Sequence, residues 1–191
     1  NPYGRTKLTV ENFLEHICET HGLNATCLRY FNAAGAHHSG TLGEAHEPET
    51  HLIPNILNRG SYPSENLKVY GDDYDTPDGT CIRDYVHVED LAQAHLKALE
   101  FMQVNKGFYT FNLGNGNGFS VLEVIKACEH VLGRRVDYQF SDRREGDPPV
   151  LIADSAKAID QLSWSPQHTS LESIIMSAYF WHLNKSEFSL Q

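Results

Sequence analysis

Helical and extended patterns take turns along these 191 residues, and that alternation constrains the fold more than any single motif does. Residues 2–21 place Val10, Phe13, Leu14 and Ile17 on one helix face, with Asn1 as N-cap, Pro2 in the first helical position and Gly22 as the stop. Residues 24–32 (NATCLRYFN) read as a short β-prone strand ending in small residues. A loop rich in Gly and His covers 33–50. Residues 67–71 (LKVYG) form a short strand, and 72–80 carry turn chemistry. An amphipathic helix is predicted over 88–102, with Leu91, Ala94, His95, Ala98, Leu99 and Met102 in one stripe. Residues 107–114 (GFYTFNLG) are a buried type of strand. Ser120 and Glu123 make a capping box that opens a helix ending at Gly133. Val136, Tyr138 and Phe140 alternate onto one strand face. Thr169 and Glu172 form a second capping box, before a helix that turns Leu171, Ile174, Ile175, Ala178 and Trp181 inward. Residues past about 184 read as a tail.

Such alternation implies an α/β protein with a mainly parallel sheet. Sheets usually have about five or six strands, yet only two long buried strands stand out here. The other extended segments are short and polar-flanked, as in a small accessory lobe. The sheet therefore reads as incomplete.

Charge and cysteine content exclude several classes. The net charge is −10, whereas proteins that track nucleic acid carry a basic patch or stripe. Arg134–Arg135 and Arg143–Arg144 are the only dense basic spots. An anionic ligand would have to be held by a few placed arginines against the global field. No apolar run approaches the ~20 residues of a membrane-spanning helix. Cys18, Cys27, Cys81 and Cys128 are scattered without a Cys-x-x-Cys, which argues for buried thiols in the cytoplasm rather than disulfides or zinc.

The chemistry-bearing stretches each have an ordinary reading beside the functional one. Tyr3 and Lys7 are four residues apart, so they share a helix face. A lysine ammonium one turn from a phenol favours the phenolate, which suits tyrosine to general-base work; the plain alternative is a solvated surface pair. "LRYFNAAGAH" (28–37) ends a strand at Asn32, where an open α/β sheet presents its ligand crevice, or is simply a strand-to-loop junction. His37, His38, His46 and His51 crowd one loop with Glu44, Glu47 and Glu49. Without a His-Glu-x-x-His spacing or a cysteine, the sequence assigns no metal. Tyr70 at a strand end is placed to stack on a base, and Arg83, or Arg143 and Arg144 near Asp147, to fork a phosphate. "GNGNG" (114–118) lacks the Gly-x-Gly-x-x-Gly register and reads as a flexible strand-to-helix turn.

In order, "NPYGRTKL", "LRYFNAAGAH", "PETHLIPNIL", "LKVYGDDYDTPDGTCIRDYVHVEDLA", "FNLGNGNGFSVLEVI" and "RREGDPPVLIAD" resemble the UDP-glucose 4-epimerases (UDP-galactose 4-epimerases), extended short-chain dehydrogenase/reductases. The resemblance runs from Asn1 to about His182 and is to the C-terminal portion of that family. It implies the last elements of a Rossmann-like, doubly wound NAD-binding domain (1–36 and 88–118), a small mixed α/β lobe for a UDP-sugar (37–87 and 119–183) and a tail (184–191). The Gly-rich dinucleotide loop and the Ser/Thr that assists Tyr3 would belong to a first half outside this sequence. The implied activity is that of an isomerase: NAD-dependent epimerisation at C4 of a UDP-hexose through a 4-keto sugar. Tyr3 would be its acid/base, and Lys7 would support Tyr3 and hold the nicotinamide ribose. Phe31 would lie by the nicotinamide. Asn32, His51 and Leu52 would meet the sugar, Lys68 and Tyr70 the uracil, Arg83 and Arg144 the diphosphate, and Asp147 the uridine ribose. His51 stands where related forms carry Asn. Leu151 borders the implied hexose pocket, so a UDP-N-acetylhexosamine 4-epimerase is an alternative, as is a catalytically incompetent UDP-sugar-binding fragment. A homodimer with no membrane or nucleic-acid partner is expected.

Overall fold

The strand pairs are joined mostly by long crossovers. The computed structural model describes residues 2–58 and 67–188. In chain order the elements are α1 (Pro2–His21), β1 (Ala25–Tyr30), β2 (Asn32–Ala34), α2 (Leu52–Asn58), β3 (Leu67–Tyr70), β4 (Ile82–His87) and α3 (Val88–Val104). Then come β5 (Phe108–Leu113), β6 (Gly118–Ser120), α4 (Val121–Leu132), β7 (Tyr138–Ser141), β8 (Val150–Leu151), α5 (Ala156–Leu162) and α6 (Leu171–Phe188). The two long strands legible in the sequence, β1 and β5, pair in parallel from Ala25↔Phe108 to Tyr30↔Leu113. β3 pairs in parallel with β7. β4 is flanked by β2 and β8, both parallel to it, and by antiparallel β6. The α/β class with mainly parallel pairing is thus the observed one.

Two apolar clusters hold these elements. One gathers Ile53 and Ile56 of α2, Val69 of β3, Val124, Ile125 and Cys128 of α4, and Ile174 and Ile175 of α6. The other gathers Leu91, Ala94 and Ala98 of α3, Phe111 and Leu113 of β5, and Ala158, Leu162 and Trp164. These last three residues come from the stretch that the sequence grouped with the small lobe. Here they pack on α3 and β5.

Two helices start without a loop. His87 ends β4 and also caps α3, its ring nitrogen accepting from the Glu89 N–H. Ser120 ends β6 and caps α4. Its Oγ accepts from Glu123 N at 3.1 Å, while Glu123 returns a bond to Ser120 N at 2.7 Å, so the expected capping box is present. Gly133 closes α4 in the left-handed conformation, φ 64°.

Other expectations shift. α6 is capped one residue later than expected: Ser170 Oγ accepts from Ser173 N at 3.1 Å, and Ser170 O takes the first helical bond, from Ile174 N. The same helix runs to Phe188, through what read as a tail. In α3, Leu99 is exposed, as is His95, and the buried stripe narrows to Leu91, Ala94 and Ala98. Val136 is buried ahead of β7, but Tyr138 and Phe140 stack edge-on on an open face. On α1, Val10 and Phe13 are 54% and 62% exposed, and Cys18 is the buried side chain. α2 and α5, seven residues each, have no counterpart among the elements expected from the sequence. Pro54 fits α2 because it sits in the first turn, where its missing N–H has no helical partner to lose. The expected N-cap Asn1 lies outside the described residues.

No described helix is long and apolar enough to cross a membrane. All four cysteines are free thiols, and burial pushes that of Cys128 up to about 12.

Candidate functional site

A cleft of about 1330 Å³ opens where β1 ends. Phe31 and Asn32 enter it from the β1–β2 junction, and Lys68 and Tyr70 from β3. Arg83 comes from β4, and Arg144 and Asp147 from the loop after β7. Thr50, His51 and Leu52 close one side at the start of α2, facing Trp181, His182 and Lys185 of α6. Side chains of the first apolar cluster, among them Ile53, Val69 and Tyr85, also line it.

The cationic wall is built from the strand outward. The Arg83 side chain is 12% exposed. It donates to Asp147 Oδ1 at 2.8 Å and to the Ile82 carbonyl at 2.7 Å. Arg144 lies with its guanidinium 4.0 Å from the centroid of the Tyr70 ring, a cation–π contact that orients both groups. Its neighbour Arg143 turns away, onto the Tyr74 ring and the carboxylate of Asp73, which it holds below the usual carboxylate range. Two arginines therefore meet in one cleft of a chain whose net charge is −10.

Tyr3 and Lys7 stand elsewhere. Both lie on α1, with Lys7 Nζ 5.1 Å from the Tyr3 ring centroid and Tyr3 71% exposed, and neither lines the cleft. Leu151 is also outside the lining, although β8 sets it beside Arg83 in register.

Some residues that shape the site gave no sequence signal. Asp84, wholly buried beside Arg83, accepts from the N–H groups of Asn115 (2.9 Å), Gly116 (3.1 Å) and Ala153 (3.2 Å). A Cβ on Gly114 would lie 2.3 Å from its Oδ2. "GNGNG" is therefore a turn pinned around a carboxylate, not a flexible one. Glu89 collects imidazoles from distant segments: His38 Nδ1 at 2.6 Å, His168 Nε2 at 3.4 Å and His37 Nε2 at 3.5 Å. His87 lies buried behind them, stacked on His168 at 4.1 Å. Its Nδ1 accepts from Glu89 N, so its proton sits on Nε2, which donates to Ser177 Oγ at 2.9 Å. Gly35, φ 86°, is required here, since a Cβ would come within 2.5 Å of the His87 ring.

Burial first, then the neighbouring His168, pushes the His87 pKa below its ordinary 6.5. Burial alone would raise Glu89, but the hydrogen bonds from His38 outweigh it and hold the carboxyl low. Both shifts act in one direction. Below about pH 6.5 the unfolded chain takes up a proton on His87 that the fold refuses, and below about pH 4.5 the same holds for Glu89, so stability falls as pH falls. Melting temperature measured from about pH 7.5 to 5 is expected to drop, and His87→Gln to flatten that drop. An unchanged slope in the variant would exclude His87 as a source.

The chain is similar to known proteins along most of its length. The model of the NAD dependent epimerase/dehydratase family matches residues 1–114. A UDP-glucose 4-epimerase of Halalkalibacterium halodurans is 50% identical over 182 residues, 95% of this chain and 54% of that protein. A UDP-glucose-4-epimerase from Stenotrophomonas maltophila, crystallised with NAD and formylated UDP-arabinopyranose, matches with a TM-score of 0.91 and 41% identity. That match covers 98% of this chain and 56% of the other. One from Bifidobacterium longum, in complex with NAD+ and UDP, matches at 0.90 and 39%, covering 97% and 56%. The chain thus spans about half the length of these relatives. With a family model matched over more than half of its residues and a Rossmann-like α/β fold shared with these structures, the chain belongs to the NAD dependent epimerase/dehydratase family.

Proposed function

We propose that this chain forms the UDP-sugar-binding part of an NAD-dependent enzyme that inverts C4 of a UDP-hexose. The observation that carries this reading is the convergence of Arg83, Arg144, Tyr70, Lys68 and Asp147 on one cleft. A nucleoside diphosphate offers two phosphates for guanidinium forks, a base for an aromatic edge and a ribose for a carboxylate. The family and the ligands of the two matched structures, NAD with UDP or a UDP-sugar, point the same way.

In this reading Lys68 and Tyr70 flank the uracil, Asp147 meets the ribose, and Arg83 and Arg144 hold the diphosphate. The hexose extends toward Asn32, His51 and Leu52. Tyr3 takes the proton from the 4-hydroxyl and later gives it back, with the Lys7 ammonium beside its ring. NAD, when bound, would accept hydride from C4 and return it to the other face. Tyr3, Lys7 and Phe31 suit the nicotinamide end: an exposed phenol–ammonium pair and an aromatic at the strand end. The sequence holds no Gly-x-Gly-x-x-Gly loop for the pyrophosphate. Residues 1–36 and 88–118 would then serve the NAD-binding domain, and the cleft walls from β3, the Arg144 loop and α2 the UDP-sugar lobe. A homodimer is part of the same proposal.

Arg83→Ala tests it. In the full-length protein the substitution is expected to weaken UDP binding by about 10- to 150-fold, the loss of about 1.5–3 kcal/mol from a charge-assisted contact. Calorimetric titration with UDP reads this directly. An affinity within about threefold of wild type would overturn the assignment of the cleft.

A further inference from the structure

We propose that Glu44, His46, Glu49 and His51 form a binding site for one divalent transition-metal ion of the zinc type, at the rim of the cleft. In sequence these residues lacked a recognised ligand spacing. The loop nevertheless turns one nitrogen or oxygen of each to within 4.8 Å of all the others. His46 Nδ1 lies 3.0 Å from Glu44 Oε1 and 3.9 Å from Glu49 Oε1. His51 Nδ1 lies 3.6 Å from Glu49 Oε1 and in close contact with Glu44 Oε1. Zinc at 2.0–2.2 Å from four ligands in a tetrahedron sets them roughly 3.3–3.6 Å apart, and three of the four nitrogen–oxygen separations, 3.0, 3.6 and 3.9 Å, lie about that value, while the His51–Glu44 contact would have to open.

The carboxylates are anchored and the imidazoles open. The Glu44 and Glu49 side chains are 20% and 10% exposed, against 55% for His46 and 58% for His51. The Glu44 carbonyl accepts from Trp181 Nε1 at 3.0 Å, and Glu49 Oε1 accepts from the N–H groups of Thr50 (2.7 Å) and His51 (2.8 Å). The bonds to Glu49 orient its carboxylate, as bonds to metal-binding carboxylates do, the Trp181 bond fixes the Glu44 backbone, and the exposed rings leave a route for the ion. Two carboxylates and two neutral imidazoles carry a charge of −2, which a divalent cation cancels. On binding, each ring would carry its proton on Nε2 and coordinate through Nδ1. The two groups around Glu89 are less suited, because each offers three ligand atoms rather than four, and both nitrogens of His87 already have hydrogen-bond partners. A metal here would tie the 44–51 loop to α6 through Trp181 and fix one wall of the cleft.

The test uses the full-length protein stripped with a chelator. Titration with Zn²⁺ is expected to show one equivalent bound, and Co²⁺ to give the strong visible absorption of a tetrahedral ion. The double variant His46→Ala/His51→Ala, checked for folding by circular dichroism, is expected to lose the cobalt spectrum and bind Zn²⁺ at least about 100-fold more weakly. Glu89→Gln should retain both. Should the double variant not fold, Glu44→Gln serves, with the same expected losses. Absence of stoichiometric binding to the wild type, its persistence in the His46/His51 variant, or its loss in Glu89→Gln alone would overturn the proposal.

Discussion

Replacing Tyr3 by Phe in the full-length protein is expected to lower kcat by about 10²- to 10⁴-fold, the usual contribution of a positioned general acid/base, and to leave UDP binding unchanged. The split follows from the geometry. Tyr3 stands on α1 with its ring against the Lys7 ammonium, while the cleft of Arg83 and Arg144 is lined without it. Removing the phenolic oxygen deletes the group proposed to take the 4-hydroxyl proton and touches nothing proposed to hold the nucleotide. Steady-state kinetics on a UDP-hexose, paired with calorimetric titration of UDP, separate the two effects. Turnover within about threefold of wild type would remove Tyr3 from the chemistry. An equal loss of UDP affinity would show that α1 acts on the cleft instead.

The largest stability effect is expected at Trp164. Its side chain is 1% exposed, packed with Leu91, Ala94, Phe111, Leu113 and Leu162, and its Nε1 donates to the Asp90 carbonyl at 2.9 Å. Asp90, itself buried, accepts from the N–H groups of Gln167 (2.8 Å) and His168 (2.9 Å), so the chain after α5 docks on the first turn of α3 at three points. Trp164→Ala empties the centre of that contact and removes the indole bond to the Asp90 carbonyl. A cost of about 3–5 kcal/mol is expected, or about 6–20 °C in melting temperature for a domain of this size. Trp164→Phe, which restores most of the volume without the N–H, should recover part of the loss. A melting temperature for the Ala variant within about 2 °C of wild type would show that the α5 segment does not contribute to the cooperative core.

Local chemistry was legible in the sequence, and long-range placement was not. The α4 capping box could be read because Ser120 and Glu123 satisfy each other within one turn. The α6 box slipped because Thr169 and Ser170 are adjacent cap formers, and the bonds to Ser173 and Ile174 fall to the second of them. α2 and α5 are only two turns long, too short for a periodic signal. On α1, periodicity marked Val10 and Phe13 as apolar but carried no information about what faces them. The cleft residues could be grouped only through family resemblance, since Arg83 and Asp147 are 64 positions apart. His168 and Glu89 offered no motif, and their meeting depends on the docking of the segment after α5.

The junction between β4 and α3 has a mechanical consequence. With His87 at once the last residue of the strand and the cap of the helix, no connecting residue is left to absorb a change in phase. One added residue between His87 and Val88 would turn α3 by roughly 100° about its axis, swinging Leu91, Ala94 and Ala98 out toward solvent. The segment that carries Arg83 at one end and the Trp164 contact at the other behaves like a gear keyed to its shaft: strand and helix must move together or not at all.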